Sequence, residues 1–263
     1  MNILKRVIWY LRYLVKAKHV NGHGLHSPFM YQYVIDAVYP GKDNTDVTVI
    51  NKVKNKLKKD SRKINTVNPG AGSALRKKSL RSIKSLAGGI GLPCKYGRLI
   101  GRTAAYFNVS RIVELGTGTG LSGLFLSLYN PGAKIITIEA NNSLADLAEY
   151  NFKQADVHNI QVINDTFDSV FPGILNNIDN NFMVFIDGNH TIDATIRYAE
   201  MVMGKAGDNT VLVIDDIYWS EEMMEAWHTI KTWPDVKVTV DFFRMGMVFF
   251  RAGLSKQDFV IKY

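Results

Sequence analysis

Six carboxylates and one histidine stand in or just after short apolar runs in the second half of this 263-residue chain. Glu114 lies in RIVEL (111–115), Glu139 closes KIITIE (134–139), and Asp165 follows IQVI (160–163). Asp187 closes FMVFID (182–187) with His190 three residues on, and Asp215 and Asp216 end TVLVIDD (210–216). Between the first two runs lies VELGTGTGLSG (113–123), in which Gly118, Gly120 and Gly123 satisfy G-x-G-x-x-G. Glycine serves where backbone turns sharply or approaches a ligand closely. The amides that open a helix after such a turn favour an anionic or polar ligand. Glu139, 23 residues beyond Gly116, is placed to accept hydrogen bonds from both hydroxyls of a ribose. A nucleotide-like ligand is the expectation.

The later acids raise a different chemistry. Asp187, Asp215 and Asp216 end strands expected to be neighbours, and like charges so placed repel unless a cation or a shared proton compensates. Hard oxygen ligands suit Mg²⁺ or Ca²⁺. A plainer use is open too: Asp216 and Ser220 capping the next helix, with Glu221 and Glu222 complementing its dipole. His190 is of the type that works as a base near neutral pH, and also of the type that hydrogen-bonds within a loop.

The elements that must position these residues follow from periodicity. The five apolar runs are rich in Val and Ile, as strands buried on both faces are. Amphipathic stretches such as NSLADLAEYNFKQA and TIDATIRYAEMVM alternate with them, which predicts an α/β, doubly wound, mostly parallel sheet. VKVTVDFF and RMGMVFF follow too closely for a helix between them, so an antiparallel hairpin is expected at the end. The first 92 residues read as helices, in NILKRVIWYLRYLVKAK, VINKVKNKLKKDSRK and ALRKKSLRSIKSLA. GGIGLP (88–93) marks the boundary between this basic helical region, residues 1–92, and an α/β domain, residues 93–263.

Composition narrows the class. With 46% apolar and 21% charged residues the chain is an ordinary globular one. Cys94 is the only cysteine, which excludes an intramolecular disulfide and points to a reducing compartment. No run approaches the roughly 18 apolar residues of a membrane span. Arg6 and Arg12 interrupt the first apolar stretch, unlike a signal peptide, so a cytoplasmic location is expected. Charge is uneven: residues 1–110 hold 21 Lys and Arg against 4 Asp and Glu, and residues 111–263 hold 11 against 20. A basic half suggests an anionic partner.

The motif E-x-G-x-G-x-G, with an acid closing the next strand, resembles the class I S-adenosylmethionine (SAM)-dependent methyltransferases. That resemblance implies a Rossmann-like, seven-stranded sheet ending in an antiparallel hairpin. It implies SAM as cofactor, held by Glu114, Gly116, Thr117, Gly118, Gly120 and Glu139, with Asp165 at the adenine edge. The Asp187-x-x-His190 step and the Asp215-Asp216 pair resemble the metal-dependent O-methyltransferases of the catechol and caffeoyl-CoA type. By that resemblance Asp187, Asp215 and Asp216 bind Mg²⁺, and Asp187 and His190 are catalytic, His190 as the base. The family's pair is usually Asp-Asn, and its base in the catechol enzymes is lysine. HGLHSPF, GAGS and DDIYWSEEMMEAW resemble a group of uncharacterised bacterial methyltransferases over nearly the whole chain.

Three functions compete at this point. The first is O-methylation of a small-molecule acceptor beneath an N-terminal cap, with a homodimer as a further expectation. The second is methylation of nucleic acid by way of the basic half, against which no aromatic-interleaved basic motif is present. The third is a non-catalytic protein that meets a membrane surface through the amphipathic residues 1–20. His23 and His26, and NPGAGS (68–73) with Arg76, Lys77, Lys78, Arg81 and Lys84 after it, read as substrate contacts or as ordinary polar surface.

Overall fold

In a computed structural model of the chain, residues 3–17, 24–67, 78–89 and 91–263 are described. The helices α1 (Ile3–Lys16) and α2 (Pro28–Tyr33) come first, then a π-helical turn (Val34–Val38) and α3 (Thr48–Lys59). β1 (Lys63–Val67) and β2 (Lys78–Ser82) follow, then α4 (Ile83–Gly89) and α5 (Cys94–Tyr106). Strands and helices then alternate through β3 (Arg111–Leu115), α6 (Leu121–Tyr129), β4 (Lys134–Ile138), α7 (Asn142–Gln154) and β5 (Ile160–Ile163). The alternation continues through α8 (Phe167–Asn176), β6 (Phe182–Ile186), α9 (Ile192–Met203) and β7 (Val211–Ile214). Last come α10 (Glu221–Thr232), β8 (Val238–Asp241), β9 (Gly246–Phe249) and β10 (Gln257–Val260). β3 to β10 make up a mixed, mostly parallel sheet, the α/β class that the alternation predicts. The chain forms two compact units.

One unit comprises residues 44–105 and 110–178. Its strands β3, β4 and β5 run parallel, with Glu114 paired to Thr137 and Ile138 to Ile163. β3 is buried from Ile112 to Leu115, because parallel strands with helices on both faces leave no wet side. Ile50, Val53 and Leu57 line one face of α3 and pack into the same core as Phe125 and Phe152, while Lys56, Lys58 and Lys59 stay outside. β1 and β2 correct the all-helical expectation for residues 1–92: they pair antiparallel, Lys63 opposite Ser82. Ile64, Thr66 and Val67 are β-branched, and that preference prevails over the helix-forming lysines around them. Of the predicted helix ALRKKSLRSIKSLA, only α4 is helical among the described residues. His23, Asn68 and the rest of NPGAGS, Arg76 and Lys77 lie outside the described residues.

The other unit comprises residues 1–43, 106–109 and 179–263. β6 and β7 are parallel, β9 runs antiparallel to both β7 and β8, and the predicted hairpin is β8–β9. β10 is one strand more than expected; it pairs parallel with β8, Gln257 opposite Val238. Phe249 sits between Tyr33 and Phe107, with ring centroids 5.1 Å away in each case. α1 docks by its aromatic side. The Tyr13 hydroxyl donates to the Ile261 carbonyl at 2.6 Å, and Tyr10 and Tyr13 contact the Phe243 ring at 4.9 and 5.3 Å. Its aliphatic face is turned out: Leu11 is 55% and Val15 78% exposed, beside exposed Val7 and Ile8. No helix among the described residues is long and apolar enough to cross a membrane.

Candidate functional site

The glycine turn joins β3 to α6. Its first two amides, Gly116 N and Thr117 N, donate to the Ile138 carbonyl at 3.0 and 3.3 Å, which ties the turn to the end of β4. Gly116, Gly118 and Gly120 adopt φ of 112°, 52° and 81°, a region that side chains disfavour. Two of the motif glycines differ in what they serve. A Cβ at Gly120 would stand 2.9 Å from the Phe152 ring, so that position is small for packing against α7. A Cβ at Gly118 would meet nothing within 4 Å, so its backbone borders open space. That is the cradle a ligand needs.

Glu139, just past β4, accepts from Gly118 N at 3.0 Å through one oxygen and from Asn141 N at 2.9 Å through the other. Burial raises its carboxyl above the usual range, and those two amides hold it back. Glu114 is wholly buried. Its Oε2 accepts from Thr137 Oγ1 at 2.6 Å, and Thr137 shares a 2.6 Å hydroxyl contact with Thr117. Glu114 Oε1 has no partner among the described residues. Burial pushes this carboxyl up to about 7; hydrogen bonding by Ser122 and Thr137 opposes the rise, and the charge of Glu139 adds to it. The sequence-predicted cluster of Glu114, Thr117, Gly118 and Glu139 is thus brought together. Asp165 is linked to it through a neighbour: Asn164 Nδ2 donates to the Glu139 carbonyl at 2.7 Å, while Asp165 is exposed and accepts from Thr166 N and Ser169 Oγ.

In the other unit, the residues after β6 and β7 form a second cluster. His190 Nε2 lies 3.9 Å from Asp187 Oδ1, and His190 Nδ1 is buried with no partner among the described residues. Asp215 is fully buried. Both its oxygens are held by Arg244, whose Nε lies 3.0 and 3.1 Å from them and whose Nη2 lies 2.7 Å from Oδ2. Asp216 Oδ1 is 4.0 Å from the same guanidinium, and its backbone is left-handed at φ 53°. Burial raises the Asp216 carboxyl and the charge of Asp215 raises it further, against the pull of Arg244 and His190. Burial alone would lower the Arg244 guanidinium, but Asp215, Asp216 and Asp187 outweigh it and raise it beyond its ordinary range. Ser220, not Asp216, caps α10, accepting from Met223 N at 3.1 Å.

Asp187, Asp215 and Asp216 as arranged do not fit the Mg²⁺ that the resemblance implies. Both oxygens of the central acid are taken, and no group of three Asp, Glu, His or Cys side chains among the described residues is placed to hold a metal. Arg244 was not legible beforehand, since FRMG reads as a hairpin tip and its partner lies 29 residues away. Tyr218 was also missed as a site residue: its hydroxyl donates to Asp241 at 2.8 Å, and its ring stacks on Phe243.

Comparisons with known proteins follow the same lines. Residues 113–217 match a family model described as a methyltransferase domain. Ribosomal RNA small subunit methyltransferase G of Mycoplasma mycoides is 32% identical over 54 residues, 20% of this chain and 39% of that protein. The chain spans less than half the length of the curated relatives it matches. An O-methyltransferase from Bacillus cereus, solved with S-adenosylhomocysteine (SAH), aligns over 83% of this chain and 96% of its own, with TM-score 0.54 and 18% identity. The SAH-bound methyltransferase PaMTH1 of Podospora anserina aligns over 88% and 99%, with TM-score 0.58 and 12% identity. At such identity the likeness establishes the fold. Residues 113–217 thus resemble a methyltransferase domain, in a chain with the Rossmann-like methyltransferase fold.

Proposed function

We propose that this chain is a SAM-dependent methyltransferase that methylates an oxygen of a small-molecule acceptor. The observation that carries the reading is Glu139, an acid fixed by the Gly118 amide at the rim of a turn with open space above it. A ribose presents two adjacent hydroxyl donors, the complement of that carboxylate. The backbone from Gly116 to Gly120, with Thr117, forms the rest of the cradle; Glu114 braces it through Thr137, and Asp165 is assigned to the adenine edge. When bound, SAM supplies an electrophilic methyl group carried on a sulfonium.

The chain's own tasks are to hold that donor, orient the acceptor and receive the acceptor's proton. His190 suits the last task, with an unpartnered Nδ1 and with Nε2 3.9 Å from Asp187, whose charge would favour the ring once it has taken the proton. Transfer to oxygen is supported by this pair and by the fold shared with O-methyltransferases. Calorimetry with SAH tests the reading: wild type binds one equivalent and Glu139→Ala loses the affinity, whereas no heat with wild type sinks it.

A second reading, methylation of RNA, is favoured by the local similarity to ribosomal RNA methyltransferase G and by the 21-to-4 excess of basic residues before position 111. It requires RNA binding that weakens steeply with salt, as phosphate contacts do. The small-molecule reading requires none.

A further inference from the structure

The strand-end acids need a counter-charge, and the chain supplies its own. We propose that Arg244 is the resident cation of the Asp187–Asp215–Asp216 cluster, taking the place of a divalent metal, so that these acids serve a metal-free site. The consequence for methyl transfer rests on the function proposed above; the occupancy of the cluster does not.

Arg244 is built into its position. It stands between β8 and β9, where Phe243 takes the left-handed φ of 66°, Arg244 N donates to the Phe242 carbonyl at 2.8 Å, and Phe242 N donates to the Met245 carbonyl at 3.0 Å. Ile217 N donates to the Arg244 carbonyl at 3.1 Å, which ties this turn to the segment after Asp215 and Asp216. The side chain, 23% exposed, then meets an Asp215 that has no exposure at all. Such a two-pronged pair is the strongest that a guanidinium makes, and it uses every oxygen of the central acid. Arginine cannot shed its proton at any working pH, so the positive charge is permanent. A divalent ion seeking Asp215 must break this pair and then sit against that guanidinium, with like charges repelling at short range. Asp216, 4.0 Å from Nη2, shares the same counter-charge. Arg244 is thus a positioning residue: it holds the two acids after β7.

Metal binding and melting test this directly. Wild type, dialysed against EDTA, is titrated with MnCl₂ and followed by the paramagnetic signal of free Mn²⁺. No site filled below millimolar metal is expected, and its melting temperature stays put with MgCl₂ or MnCl₂. A stoichiometric Mn²⁺ site that Asp216→Asn abolishes overturns the proposal. Arg244→Met strands a buried carboxylate, so its melting temperature drops on the order of 10 °C or it fails to fold. Arg244→Lys keeps the charge and recovers part of that loss. If Arg244→Met melts like wild type, Arg244 is not the counter-charge and the proposal falls. None of these readouts uses SAH or turnover, so failure of the cofactor reading is seen separately, in the SAH titration.

Discussion

Replacing Glu114 by Gln separates the charge of this buried acid from its shape. The carboxyl sits at about 7 in the folded chain against 4.5 in an unfolded one, a rise caused mainly by burial. A group raised in this way holds its proton more tightly when folded, so its contribution to stability is whole below pH 4.5. That contribution is lost as pH climbs through 7. A gap of about 2.5 pH units is worth about 3 kcal/mol, at roughly 1.4 kcal/mol per unit. Gln keeps an acceptor for Thr137 and never ionises. Urea unfolding of both proteins, followed by circular dichroism from pH 5 to 8.5, isolates the effect as a difference curve, because every other titrating group is common to both. Near pH 5, half a unit above the unfolded value, about 1 kcal/mol is already lost; between pH 5 and 8.5 Glu114→Gln gains about 2.5 kcal/mol more on wild type. A difference curve flat across that range refutes the argument that Glu114 is buried with its charge unpaid.

Three more outcomes follow from the site. Glu139→Ala weakens SAH binding by about 100-fold in calorimetry, as expected for losing two hydrogen bonds to a charged acceptor at roughly 1.5 kcal/mol each. Gly118→Ala, facing open space, lowers stability by only about 1 kcal/mol yet abolishes SAH binding, while Gly120→Ala, driven into Phe152, lowers the melting temperature more. His190→Gln reduces turnover of an identified acceptor by about 100-fold or more and leaves SAH affinity unchanged, which steady-state kinetics and calorimetry together check.

What the sequence disclosed was what is local. The turn from Gly116 to Gly120 and the acid closing the next strand are fixed by spacing along the chain, and both stand where spacing put them. The alternation of strands and helices was legible because each apolar run announces itself in four or five residues. The demand for a cation or a shared proton among Asp187, Asp215 and Asp216 was legible too, since three acids on strand ends repel. The identity of that charge was not, because Arg244 reaches Asp215 only when the last hairpin is in place. β1 and β10 were hidden for a related reason: short strands become strands by finding a partner, Ser82 for Lys63 and Val238 for Gln257. Which side of α1 docks was not legible, because its aliphatic and aromatic sides both look fit for burial, and the tyrosine hydroxyl bonded to Ile261 decides between them.

Four aliphatic side chains of α1, Val7, Ile8, Leu11 and Val15, stay in water next to the exposed Arg12 and Lys16. Water contact there is a standing penalty of about 25 cal/mol for each Å², relieved by whatever apolar surface arrives. Added salt pulls on this strip in opposite senses. Screening within about 10 Å at 0.1 M would weaken any attraction of Arg12 and Lys16 to an anionic surface. Sulfate, excluded from protein surfaces, drives the aliphatic side chains together. A protein that pellets with acidic vesicles in dilute buffer and pairs with its own copies in sulfate would be obeying one helix.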